Sequence, residues 1–346
     1  MPIDLGSQRH LFEVPEDVAY FNTANMSPLL RAVREAGESG VARRAAPWLV
    51  AAADWFADVE RLRRGYAGIL CTGAEGVALI PATSYGLAVA ARNVSATPGD
   101  QIVVLADEYP SNYYTWRRFC LRTGAELVVA QRERGATWTD AVLARLSERT
   151  RVLSVPNVHW TDGSLLDLEA VVPAARGAGA VVAIDASQSL GAMPLDVSRL
   201  RPDFVVSVGY KWLLGPFGLG CLYVDERFRD GEPLEENWIN RAGSDDFAGL
   251  VDHTPSPPAR RCLNSRRQLA QTPYRGEGRQ PQPPERRASR PSSREEPTSG
   301  LVRHAVIDQT GPAIPAKGDG ACEPKTTRRL PASGLRATRR TGRVVN

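Results

Sequence analysis

The chain has 346 residues, of which 42% are hydrophobic and 24% charged, enough for two domains and a sizeable core. Its formal charge of +4 is unevenly spread: residues 255–346 hold 19 Lys and Arg against 7 Asp and Glu, leaving 24 against 32 for residues 1–254. The basic excess belongs to the tail, so the acidic body carries no electrostatic footprint for nucleic acid, and no window approaches the roughly 18 apolar residues of a membrane span.

Residues 1–22 form a polar N-terminal segment without an apolar run, and the five cysteines are scattered, with no CxxC pair and no metal-like grouping with the four histidines. Free thiols in a reducing compartment, no metal and a cytoplasmic location are the expectation. Ala19 to Thr23 starts as a short strand. Ser27 reads as an N-cap with Pro28 at the first helical position, opening a helix of about 17 residues to near Ala45. Asp54 to Leu70 reads as a second helix, with Trp55, Val59, Leu62, Tyr66 and Ile69 as its buried stripe.

Val77 to Ile80 is an apolar run that breaks at Pro81 and restarts as a helix near Ser84. A strand, loop and helix in this order aim backbone N–H groups and a positive helix end at an anion. With no GxxxxGK[ST] run, a nucleoside triphosphate is disfavoured. The alternation continues with strands at Gln101 to Leu105, Glu126 to Ala130 and Arg151 to Val155, and with helices at Ser111 to Arg122 and Thr139 to Ser147. This is the pattern of a wound α/β sheet. Ser84 reads equally as a plain N-cap, Tyr109 as a half-buried surface aromatic and His159 as a structural histidine.

The stretch from Val181 to Asp225 organises the rest. An apolar strand ends in Asp185, and about 25 residues later Lys211 follows a second apolar strand, Phe204 to Val208. Charges at the ends of buried parallel strands sit at the sheet rim, where ligand sites form. Singly, Asp185 also reads as a helix cap and Lys211 as a solvated strand end. Together they suit pyridoxal phosphate chemistry: the lysine amine bonds to the cofactor aldehyde and the carboxylate pairs with the pyridinium nitrogen, keeping the ring an electron sink. Gln188 adds an amide for the ring hydroxyl, and Tyr210 a phenol for the phosphate. Gly220 to Val224 follows Lys211 too closely for a crossover helix, so that strand should run antiparallel.

DASQSLG followed by SVGYKWLLGPFGLGCLYV resembles the cofactor segment of the class V aminotransferase family, fold type I pyridoxal phosphate enzymes that include cysteine desulfurases, kynureninases and isopenicillin N epimerase-like proteins. The resemblance covers roughly residues 12 to 250 and implies an α/β large domain over 23–254, a mostly parallel seven-stranded sheet with helices on both faces. It implies Lys211 as the catalytic lysine, Thr83 and Ser84 on the phosphate, Tyr109 stacked on the ring and Asn157 at the ring hydroxyl. Asn25, in YFNTANMSP, is a substrate contact by resemblance and a polar turn residue by composition; His159 is a second candidate base. An amino-acid substrate and a homodimer are further implications. The reaction expected is aminotransferase-type, with a kynureninase-like or desulfurase-like lyase as the alternative.

Residues 255–346 depart from the family, which places a second, smaller domain there. They contain half of the 26 prolines and one aromatic, Tyr274. Such a segment buries too little apolar surface to offset ordering costs of about 1–2 kcal/mol per residue and is expected to be disordered. It resembles an out-of-frame reading of GC-rich coding DNA, which adds a reading of another class: a remnant that binds the cofactor but turns over poorly.

Overall fold

The computed structural model describes residues 6–51, 53–236, 238 and 246–251, and the backbone of 343–345. Along the chain come β1 (Val18–Tyr20), α1 (Arg31–Arg43), α2 (Asp54–Ile69), β2 (Val77–Ile80), α3 (Thr83–Asn93), β3 (Gln101–Leu105), α4 (Pro110–Thr123) and β4 (Glu126–Ala130). There follow α5 (Trp138–Leu143), β5 (Thr150–Pro156), α6 (Leu168–Gly177), β6 (Val181–Asp185), α7 (Val197–Leu200), β7 (Phe204–Val208), β8 (Gly220–Val224) and β9 (Arg343–Val345).

Seven strands form one sheet in the order β2-β8-β7-β6-β5-β3-β4. Only β8 runs antiparallel to its neighbours, β2 and β7, as the short link after Lys211 requires. Every residue of β6, β7 and β8 is buried, the mark of strands covered on both faces. Alternation along the strands divides the core. Leu105, Leu153, Ile184 and Val205 pack with Tyr66, Trp138 and Val171 from α2, α5 and α6, whereas Ile102, Val152, Ala183 and Val206 pack with Leu87, Trp116 and Phe119 from α3 and α4. From β3 the chain winds outward to β4, and from β5 it winds the other way to β6, so a crevice opens at the carboxyl ends of β3 and β5. No described helix is long and apolar enough to cross a membrane.

The sequence expectations need correction in four places. The first helix spans 13 residues and starts at Arg31. Ser27 does not cap it, because its N and Oγ both donate to Tyr210 O, at 2.9 and 3.1 Å. The buried face of α2 is Phe56, Arg63, Tyr66 and Ala67, whereas Trp55 is 54% exposed. Arg63 is drawn inward because it donates to Val77 O at 2.7 Å and pairs with Glu60 at 2.8 Å. The fifth helix ends at Leu143 rather than Ser147, since Ser147 O and Oγ are used in the turn that starts β5. Within 255–346, Arg343–Val345 form a strand parallel to Val18–Tyr20, its two valines suited to extended backbone; the remainder of that segment lies outside the described residues. Trp238 and Phe247 meet Phe56 edge-on at 6.1 and 6.2 Å.

Candidate active site

The last residue of β6, Asp185, and the segments leaving β2, β3, β5 and β7 bring Asp185, Thr83, Tyr109, Val158 and Lys211 around one cleft of about 200 Å³. Asp185 is 6% exposed and Lys211 8%. Burial holds the Lys211 amine below the usual lysine range, opposed by the charge of Asp185. Burial also pushes the Asp185 carboxyl up, opposed by hydrogen bonding from Ser187, whose amide lies 3.0 Å from Oδ1, and by Lys211. The Lys211 Nζ lies 5.6 Å from the centre of the Tyr109 ring. That ring meets Trp160 edge-on at 5.5 Å, and the Trp160 indole donates to Asp107 O at 2.6 Å.

Thr83 is buried at the first position of α3, a helix of 11 residues that begins without a side-chain cap, and it lines the cleft. Gln188 also lines it, held by a bond from Nε2 to Ala24 O (3.1 Å) and one from Trp212 Nε1 to Oε1 (3.0 Å); one N–H of the amide is left for a ligand. Tyr210 stands at the mouth against Phe217, ring centres 4.6 Å apart, and burial raises its phenol.

Four expected residues lie elsewhere. Ser84, next to Thr83, is exposed and does not line the cleft. Asn157 lines a separate cavity of about 460 Å³. Alternation explains this: Pro156 and Val158 face the cleft, so the residue between them faces away. His159 is 1% exposed and stacks on Trp138 at 4.6 Å. Its two nitrogens bond Ala106 O at 3.0 Å and Thr161 Oγ1 at 2.8 Å, so it ties the loop after β5 to the loop after β3 and is not a free base. Asn25 is exposed and off the cleft; the N-terminal segment reaches the site through Ala24 and Ser27 instead.

The family profile described as aminotransferase class-V matches residues 49–235, more than half of the chain. The chain belongs to the class V aminotransferase family. A cysteine desulfurase of Pectobacterium atrosepticum is 32% identical over 170 residues, 48% of this chain and 42% of that one. A kynureninase of Deinococcus radiodurans is 28% identical over 270 residues, 75% of this chain and 64% of that one. The chain thus spans less than two thirds of the length of these curated relatives. Among solved structures, a C-DES mutant with glycine covalently linked to its pyridoxal phosphate superposes with a TM-score of 0.63 at 21% identity, covering 68% of this chain and 64% of that one, which supports the fold.

Membership of the class V family makes pyridoxal phosphate the cofactor, and the residues of the cleft fit it. A buried carboxylate raised by desolvation is completed by a cationic ring nitrogen, a low-pKa amine suits an aldehyde, and the uncapped start of α3 suits a phosphate. One ionisable group of the lining was missed. Glu108 lines the cleft, is 7% exposed, and has a carboxyl oxygen, Oε2, without a hydrogen-bond partner among the described residues. The signal for it was the one that found Asp185, an acid just past a buried apolar strand.

Proposed function

We propose that this protein acts on an amino acid by an aminotransferase-type reaction, with pyridoxal phosphate held on Lys211. The observation that carries the reading is the buried pair of Asp185 and Lys211 in one cleft with the Tyr109 ring 5.6 Å from the amine. When bound, the cofactor supplies an electron sink that acidifies the bond next to the amino group. The chain's own residues do the rest. Asp185 holds the ring nitrogen protonated, Tyr109 covers a ring face, and Thr83 with the start of α3 takes the phosphate. Lys211, its amine held below the usual lysine range by burial, accepts and returns the substrate proton.

Among the described residues lining the cleft, Lys211 is the one cation, so no described arginine grips the substrate carboxylate there. That grip is assigned to residues outside those described or to a second copy of the chain. A homodimer is supported by exposed apolar side chains near α1 and α2, where Val41 is 76% and Trp48 79% exposed. The free cysteines Cys71, Cys120 and Cys221 are in keeping with a reducing, cytoplasmic setting.

The second reading is a lyase of the kynureninase or desulfurase kind, the activities for which the relatives are named. None of those three cysteines lines the cleft, which weighs against sulfur transfer to a thiol of the described residues. The test has two stages. Borohydride treatment of the cofactor-loaded protein should fix the label on the peptide holding Lys211; recovery on another lysine refutes the attachment. Single amino acids are then supplied, and formation of pyridoxamine phosphate supports transamination, whereas alanine with sulfide or anthranilate supports the lyase. Cofactor trapping with no turnover of any amino acid supports the impaired remnant.

A further inference from the structure

Glu108 is the buried ionisable group of the cleft to which the proposed function gives no part. It leaves β3 two residues before α4 and lies with Asp185 and Lys211 in the same lining. Its Oε1 accepts the Tyr109 amide at 2.8 Å, and its Oε2 is buried without a hydrogen-bond partner. No ion pair involves it among the described residues, and the charge that acts on Lys211 is that of Asp185. The ionisable groups around it are Asp107 and Tyr109 on its own loop, Asp185 from β6, and Tyr210 and Lys211 after β7, with His159 after β5 bonded to the neighbouring Ala106 O. An anion beside Asp185 with no cation of its own favours taking up a proton.

We propose that Glu108 is a neutral carboxylic acid in the resting protein and that its Oε2 hydroxyl donates a hydrogen bond to an acceptor on the bound cofactor ring, so that binding requires one proton on Glu108. This rests on reading the cleft as the cofactor site. Burial and the neighbouring Asp185 push the Glu108 carboxyl up to about 8, while the Tyr109 amide and Asn112 oppose the shift. Above that pH the ionised form puts a second negative charge beside Asp185 and turns the donor into an acceptor facing an anionic ligand. Glu108 therefore acts as a proton-linked gate on retention of the cofactor.

The test uses 4′-deoxypyridoxine 5′-phosphate, which has no aldehyde to bond Lys211, titrated into the full chain and into Glu108→Gln between about pH 6.5 and 9.5. Taking the ratio of the two affinities cancels the ionisations of the ligand itself. The glutamine amide is also a donor, so the ratio should be near one at the low end and shift in favour of Glu108→Gln by about tenfold per pH unit above pH 8. A ratio constant across the range overturns the proposal. Infrared titration of the unliganded wild type should show a carboxylic acid carbonyl band that disappears near pH 8, and its absence overturns the proposal even if Glu108→Gln fails to fold. Failure of the ligand to bind either protein at every pH removes the cofactor reading and the donor role together. Equal titration of both proteins overturns the role of Glu108 and leaves the cofactor reading intact.

Discussion

The separation of Asp185 from Lys211 depends on how closely the turn after β6 approaches the loop after β7, and Gly191 sets that approach. Its φ is +101°, and a Cβ at that position would lie 2.4 Å from Trp212 O and 2.8 Å from its carbonyl carbon. Gly99 has the same φ of +101°, but a methyl group there would meet nothing within 4 Å. Gly99→Ala thus suffers the backbone strain alone, about 1–3 kcal/mol. Gly191→Ala suffers the same strain and in addition forces the Trp212 peptide to retreat by about 1 Å, which adds about 1–3 kcal/mol of overpacking. Trp212 directly follows Lys211 and its indole holds Gln188, so the displacement should also loosen the cofactor. Urea unfolding at a common slope gives the stability difference, and cofactor absorbance on dilution gives retention. Equal destabilisation by the two substitutions, or full retention in Gly191→Ala, would refute the reasoning.

Two further outcomes are expected. Arg63→Met should cost about 3–5 kcal/mol in urea unfolding, because it strands Val77 O and leaves Glu60 without the buried guanidinium that is 3% exposed; a loss below about 1 kcal/mol would show that water replaces those bonds. Asn25→Ala should leave kcat/KM within about twofold, the exposed amide being off the cleft, and a loss beyond about tenfold, roughly 1.4 kcal/mol, would restore it as a substrate contact.

The strands were legible because they are buried on both faces: VVAID and FVVSV read as uninterrupted apolar runs, and their bounds in the structure agree with the sequence expectation. Helix ends and faces were less so, since they depend on partners distant in sequence. Ser27 has the composition of a cap but bonds to Tyr210, 183 residues away, and Arg63 occupies a buried face because of carbonyls outside its own helix. No periodicity within a segment encodes such pairings.

At the site, residues on strand ends were placed well and residues on loops less well. Asp185 ends β6 and Lys211 lies three residues past β7, so the regular strands before them set their place at the rim. Asn157 lies one residue beyond β5, and a single step of alternation turns it from the cleft to the neighbouring cavity. Glu108 was open to the same argument that found Asp185, but no basic residue near it in sequence suggested a pairing. The structure gives the reason: its place is defined by the absence of a partner, with a buried Oε2 left over after Tyr109 takes Oε1. A missing partner has no sequence signature. It becomes visible only when the partner of every buried polar atom in the fold has been sought, and at Glu108 that search points to the ligand.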